Sequence, residues 1–417
     1  MRNTFYNLLW KSHFIAGIII VPFVIILSVT GVIYLFKDNY EKELFKGYQT
    51  YEPTGKTLSY EEQLKIAKKN WSKEPQAIVV PQEFNQSTQF TSGRFSHKSS
   101  LYVHPSNGEV LGKVNISETD MHKVRKLHGE LLLGSFGTKV IELVASWMLV
   151  LILSGVYLFW PKGKGLKGFF TIRTKGSKRV FFRDLHAFLG FWFSSLLIIV
   201  LLGGFPWTDI FGAGYKWVQK TTDSGFPSTW QGRGLKSSPF QTKEISLDAL
   251  MQKATELNLE GEVSLSIPKS STGVYTVSNQ TTNFSQMKSI HFDRYTGEVI
   301  AENSWGDIGI MMKSRLWLMA FHQGQFGVWN FVLILITAFA LTLLSIAAIF
   351  AYFKRKSKQK FKINQVRNTK IGLAPTFIIC FLGVLLPLFG ISLVFVFLWS
   401  TIYSYFKSSR TRILKAS

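Results

Sequence analysis

A chain of 417 residues with 47% hydrophobic side chains, 36 Phe residues and a formal net charge of +23 is too apolar for two or three soluble domains. Eleven of its 25 acids fall in 37–125 and eleven in 207–315, leaving only Glu130, Glu142 and Asp184 elsewhere. The remainder is apolar or basic, a membrane-protein pattern whose excess base does not imply nucleic acid, and the single cysteine, Cys380, excludes an internal disulfide, thioether-attached haem and a Cys-ligated iron–sulfur cluster.

Residues 14–36 are an uncharged run of 23, enough to cross about 30 Å of hydrocarbon. Segment 1–36 is therefore predicted to be a first, uncleaved transmembrane helix surrounded by membrane lipid. Segment 37–125 has 13 Lys/Arg against 11 acids and reads as an exported folded module. A second helix lies within 126–160, centred on 140–160. The loop 161–184 carries eight Lys/Arg and one Asp, which places it in the cytoplasm. A third helix lies within 185–206, centred on 187–205. Segment 207–315, with 11 Lys/Arg and 11 acids, reads as a second exported module. A fourth helix lies within 316–353, centred on 326–353, and the loop 354–370 again carries eight Lys/Arg and no acid. The last segment, 371–417, opens with an uncharged run of 36 broken by Pro387 and Gly390, which predicts a hairpin of two short helices and a basic tail. The N-terminus is then cytoplasmic, both modules lie outside, and six crossings are favoured over five.

The chain is duplicated. Segment 58–81, LSYEEQLKIAKKNWSKEPQAIVVP, aligns with 245–268, ISLDALMQKATELNLEGEVSLSIP, so that Leu58, Ser59 and Pro81 meet Ile245, Ser246 and Pro268. Each copy predicts an N-capped amphipathic helix followed by a strand. LYVHPSNGEV (101–110) matches IHFDRYTGEV (290–299), and each predicts strand, turn and strand. The fold class expected is a mainly α membrane protein: four helices from an internal duplication, a C-terminal hydrophobic hairpin, and two small α+β extracytoplasmic modules.

Four of the eight histidines, His13, His128, His186 and His322, stand at the starts of the four helices. Alternating helix direction puts His13 with His186 near the cytoplasmic face and His128 with His322 near the outer face. Facing imidazoles between helices are the ligand set of a bis-histidine b-type haem, so two b-type haems are expected. Gly17 and Gly31 follow His13 at +4 and +18, as Gly190 and Gly204 follow His186. Gly17 and Gly190 can admit an inner porphyrin, and Gly31 and Gly204 can clear space at the outer level. His122 competes with His128, six residues away, for the same slot. Glu142, inside the second helix, has two open readings: proton coupling or a haem propionate network, or a pair with Lys139. GKGLKG (163–168) follows no strand and is basic loop rather than a nucleotide site. His97, His104 and His291 are expected at module surfaces rather than at metal sites. With no flavin or nucleotide fold present, a flavoprotein partner or a membrane quinol must supply reducing equivalents.

The pieces WKSHFIAG (10–17), LHGELLLG (127–134), FRDLHAFLG (182–190) and FHQGQFG (321–327), with the doubled TGEV-type strands, resemble the PepSY-associated transmembrane proteins over essentially the whole chain. That family includes bacterial inner-membrane reductases of ferric siderophores. The resemblance implies PepSY-like modules facing the periplasm and His13, His128, His186 and His322 as axial ligands. It also implies electron transfer to a ferric siderophore or another Fe(III) chelate outside. The competing expectations are a non-enzymatic envelope protein whose modules bind a peptidase or sense a ligand, and a haem protein with another acceptor or a quinol-oxidising role.

Overall fold

The computed structural model describes residues 2–53, 55–161, 165–238, 243–355 and 372–416. Its helices in chain order are α1 (Arg2–Leu35), α2 (Lys37–Gln49), α3 (Tyr60–Asn70), α4 (Asp120–Glu130), α5 (Gly134–Phe159), α6 (Lys178–Trp192) and α7 (Ser194–Gly204). They continue with α8 (Ile210–Thr221), α9 (Leu247–Glu256), α10 (Ile310–His322), α11 (Val328–Phe353), α12 (Leu373–Leu385) and α13 (Pro387–Ala416). The strands are β1 (Ala77–Val79), β2 (Thr88–Ser92), β3 (Ser99–Val103), β4 (Val110–Asn115), β5 (Glu262–Ser266), β6 (Tyr275–Gln280), β7 (Lys288–Phe292) and β8 (Val299–Ser304). The chain divides into a helical unit, Met1–Ile33, Lys126–Val218 and Phe321–Ser417, and a sheet unit, Tyr34–Arg125 and Gln219–Ala320.

In the helical unit, α1, α5 and α11 are long and apolar enough to cross a membrane, and α6 with α7 makes a fourth span among the described residues if counted as one. That third span is not the straight helix expected over 187–205: it bends by 61° at Phe193. Phe193 marks the break, with φ −92° and ψ −2°, and the Ser194 hydroxyl donates to the Phe191 carbonyl beside it at 2.7 Å. Between the spans, Ile20, Val24, Val144, Met148 and Leu197 form a buried apolar core. The C-terminal run does form two helices, broken at Leu386 before Pro387. They approach so closely that a Cβ on Gly390 would overlap the Gly383 carbonyl. At 1.5 Å per residue, α12 and the apolar part of α13, Pro387–Tyr403, reach about 20 and about 26 Å, short of a full crossing. The hairpin is held to α5 by Trp147, whose Nε1 donates to Ser392 Oγ at 3.0 Å and whose ring meets Phe389 edge-on at 4.9 Å. Of the predicted basic loop 354–370, residues from 356 onward lie outside the described residues, as do 163 and 164 of GKGLKG. Leu166–Phe169 is a single 3-10 turn.

The two modules do not stand apart. They share one antiparallel sheet of order β4-β3-β2-β1-β5-β6-β7-β8. The seam is β1 against β5, with Ile78 opposite Leu265. The duplicated sequence explains this: each module begins its sheet with an edge strand, and pairing the two edges satisfies backbone groups that an isolated module would leave open. The strands β2 and β6, TQFTS and YTVSNQ, lie between the two pairs of segments in which the duplication is visible. Ile78, Phe90, Leu101, Leu250, Met251, Leu265 and Val277 make the common core. The helices α3 and α9 cap each other reciprocally. Ser59 and Ser246 are their N-caps, Asp248 Oδ1 accepts from the Tyr60 N–H at 3.1 Å, and Glu61 accepts from the Leu247 N–H.

His97 is exposed, but His104 and His291 are buried, against expectation. His104 Nδ1 accepts from the Ser106 N–H at 3.1 Å and closes the first β-turn. Its counterpart Asp293 closes the second, accepting from the Tyr295 and Thr296 N–H groups at 2.8 and 3.0 Å. His291 lies between Thr276 Oγ1 (2.9 Å from Nδ1) and Asn303 Nδ2 (3.1 Å from Nε2).

Candidate functional site

The helical unit brings the four span histidines together as two facing pairs. The His13 and His186 rings have centroids 6.3 Å apart and planes at 78°; the His128 and His322 rings are 6.2 Å apart at 85°. His13 and Thr30, which touches His128, are 17 residues apart on α1, so the two levels are separated by about 25 Å along that helix. His128 and His322 sit not at the starts of the spans but at the ends of the short helices α4 and α10. Left-handed Leu131, Leu132 and Gly134, and Gly324 and Gly327, then turn the chain into α5 and α11. His122 belongs to the sheet unit, buried beside Arg125, so His128 is the histidine that meets His322.

Every Nδ1 in the set is bonded to an oxygen on a neighbouring helix. His186 reaches the Leu344 carbonyl at 3.0 Å and His322 the Val200 carbonyl at 2.7 Å. His13 reaches Ser154 Oγ at 2.9 Å and His128 reaches Thr30 Oγ1 at 3.0 Å. A carbonyl only accepts, so His186 and His322 carry their proton on Nδ1. The two hydroxyls donate to their own helices, Ser154 to Leu151 O at 3.1 Å and Thr30 to Ile26 O at 2.6 Å. Their remaining role towards the imidazole is as acceptors, so His13 and His128 take the same tautomer. All four Nε2 atoms therefore present a lone pair, and none has a hydrogen-bond partner among the described residues.

The donor set fits a metal between each pair. A metal–imidazole bond of about 2.0–2.1 Å plus about 1.1 Å from nitrogen to ring centre puts two axial rings about 6.3 Å apart. Two neutral imidazoles with their outer N–H groups fixed by acceptors are the ligation expected of a bis-histidine haem. The rings are deep among protein atoms, yet part of each surface stays open, as it must beside a slot. No cluster of three or more His, Cys, Asp or Glu suited to a metal occurs among the described residues.

The glycines divide by role. A Cβ on Gly17 would meet nothing within 4 Å, so that face is open. A Cβ on Gly31 would lie 3.5 Å from His128 Cε1, and one on Gly204 3.9 Å from His322 Cε1. Both make room for the imidazole itself. Gly190 instead faces the Leu344 side chain at 3.3 Å, and there serves the packing of α6 on α11. Gly155, absent from the repeated glycine spacing, acts as Gly31 and Gly204 do: its Cβ would stand 3.2 Å from His13 Cε1. Thr30-Gly31 and Ser154-Gly155 are the same device, a hydroxyl to fix Nδ1 and a glycine to admit the ring. A hydroxyl followed by glycine in an apolar helix was the available signal. The carbonyls of Leu344 and Val200 had none.

Glu142 is 1% exposed and accepts from the Ile210 and Phe211 N–H groups at 2.8 and 3.0 Å. It caps the N-terminus of α8, a favourable place for a carboxylate. It does not pair with Lys139, which bonds to Asp209.

A search among curated proteins finds no match to this chain. The profile of the PepSY-associated TM region matches residues 10–363, which takes in all four span histidines and both modules. The chain belongs to the PepSY-associated transmembrane family.

Proposed function

We propose that the protein is a transmembrane electron carrier that reduces an Fe(III) chelate, with a ferric siderophore as the representative substrate. His13 with His186 and His128 with His322 would each hold one b-type haem. Each haem, when bound, supplies a reversible one-electron couple. The protein's own residues do the rest. Thr30, Ser154, Leu344 and Val200 hold the four Nδ1–H groups and so present Nε2. The core of Ile20, Val24, Val144, Met148 and Leu197 keeps water out between the two levels. The charge bias of 161–184 and 354–370 supports a cytoplasmic N-terminus in a bacterial inner membrane, with both modules on the periplasmic side. The donor is a cytoplasmic flavoprotein or a membrane quinol. Each turnover moves one electron, and Fe(III) becomes Fe(II), which hard oxygen ligands hold more weakly.

The observation that carries this reading is the pairing itself: two imidazole pairs at metal-spanning distance, each with its outer nitrogen fixed. The test is a haem-to-protein ratio on purified protein, followed by anaerobic mixing of the reduced protein with ferric chelates. A ratio near two, a b-type α band and oxidation by a chelate are expected. A colourless protein that haem feeding does not change sinks the reading and leaves the modules as the functional part. Haem without oxidation by any Fe(III) chelate moves the acceptor elsewhere.

A further inference from the structure

Beside the His13–His186 pair lies a cluster of aromatic rings and arginines. Arg355, just past α11, lays its guanidinium over the rings of Trp10 (5.4 Å) and Phe14 (5.3 Å), which stack on each other at 5.4 Å and flank His13 on α1. Its Nε is buried without a hydrogen-bond partner. Arg179 is close enough to repel it. Arg179 is half-buried while Lys175 and Lys178 beside it are exposed, and it stands seven residues before His186. Seven residues are about two helical turns, so it points along nearly the same face as His186, about 10 Å away.

No carboxylate among the described residues pairs with either arginine, and the nearby Asp184 is already held by Arg173 (2.7 Å) and Arg183 (2.9 Å). Two cations near enough to repel, one with an orphaned buried N–H, are unfavourable unless an anion joins them. Stacking on aromatic faces offsets only part of that cost.

We propose that Arg179 and Arg355 are the seat for the propionate carboxylates of the haem held by His13 and His186. The guanidinium fork matches a carboxylate in charge and shape. The aromatic pair aims Arg355, and the spacing of Arg179 from His186 keeps both cations at the same end of the slot. The proposal rests on the haem reading above. A lipid phosphate is the other anion of the same chemistry that can reach this place.

The test uses the full chain reconstituted with haem or with haem dimethyl ester, whose propionates carry no charge. The wave in a redox titration that is missing in His186→Ala belongs to this haem. Arg355→Gln and Arg179→Gln should each lower its midpoint potential, because a positive charge near the ferric state is lost. Each should also speed its loss to a competing apoprotein by about tenfold or more. Arg355→Lys should restore part of both. The ester should reproduce the faster haem loss in the unsubstituted chain, where it raises the midpoint potential because negative charge is lost, and it should add nothing to the haem loss of the double variant Arg179→Gln, Arg355→Gln. The wave of the second haem, unchanged throughout, reports that the fold is intact. The proposal is overturned by ester and arginine effects on haem loss that add in full, as a lipid phosphate predicts, and by an Arg355→Gln protein whose wave and haem loss are unchanged. An unsubstituted chain that takes up no haem fails at the histidines instead, and takes the proposal with it.

Discussion

Each imidazole is aimed by one acceptor on the neighbouring helix, and in each half of the duplication that acceptor has a different chemical character. The first half uses hydroxyls, Ser154 and Thr30; the second uses the carbonyls of Leu344 and Val200. Only the first kind can be removed by substitution. Ser154→Val and Thr30→Val should each weaken haem retention at their own level by about 10- to 100-fold, the usual effect of losing a group that orients a metal ligand. Haem transfer to an apoprotein measures this. Retention unchanged in both variants means that helix packing alone orients the rings. Gly155→Leu should do the same to the His13 level by collision, since even a Cβ there stands 3.2 Å from the imidazole. In the sheet unit, burial pushes the Asp293 carboxyl up, but hydrogen bonds from Ser238, Thr296 and Tyr295 outweigh it and hold the pKa at about 2, below the ordinary 3.8. A depressed folded-state pKa contributes stability that is present above 3.8 and lost as pH falls towards 2. Asp293→Asn should cost about 1–3 kcal/mol at neutral pH and flatten that acid limb, as urea melts across pH would show.

At the scale of elements, the carboxylate inside the membrane is accounted for by the helix it caps. Glu142 receives two backbone N–H groups of α8, and that leaves its charge satisfied without a cation. Glu142→Ala should loosen residues 210–221, by about 1–2 kcal/mol of local stability. It should leave both haem bands in place. Hydrogen exchange of α8 and the visible spectrum separate the two effects. If Glu142→Gln instead changes how the midpoint potentials depend on pH, the residue takes part in proton coupling and the cap is secondary. The kink in the third span also belongs here. The Ser194–Phe191 bond sits between the segment bearing His186 and the segment whose Val200 carbonyl holds His322, so the bend sets the direction of one relative to the other.

For the whole molecule, the joined sheet makes the two modules one folding unit. Residues 34–125 produced alone should expose the edge of β1 and self-associate, whereas a chain carrying both modules should unfold in a single transition. Sedimentation of the fragment and a chemical denaturation curve of the intact chain check this, and a monodisperse, stable single module would show that the seam is incidental. The seam helices also predict a pH effect. Burial, followed by a hydrogen bond with Asp248, raises the Glu61 carboxyl above its ordinary value. A raised folded-state pKa gives stability that is full below the ordinary value of 4.5 and fades as pH rises through the folded-state value. Glu61→Gln, which copies the protonated form, should therefore stabilise the sheet unit at neutral pH and remove that dependence; destabilisation at pH 7 would mean that the bond to the Leu247 N–H needs the full charge.

Spans, duplication and the identity of the histidines were legible because they depend on local properties. A run without charge, a repeat at fixed offset and a polar residue at a helix end can all be read from neighbours along the chain. The pairing of His13 with His186 and of His128 with His322 was legible too, because alternating helix direction is a topological consequence of consecutive spans. What distance in sequence hides was settled only by tertiary packing. The edge-to-edge union of the modules depends on which strand each edge finds. The acceptors for Nδ1 include two main-chain carbonyls, which every residue has and no pattern marks. Glu142 found its partners at 210 and 211 rather than at Lys139 because an N-terminal turn offered it two donors at once. The bend at Phe193 leaves the hydrophobic run that announced the span undisturbed, so no local pattern marks it.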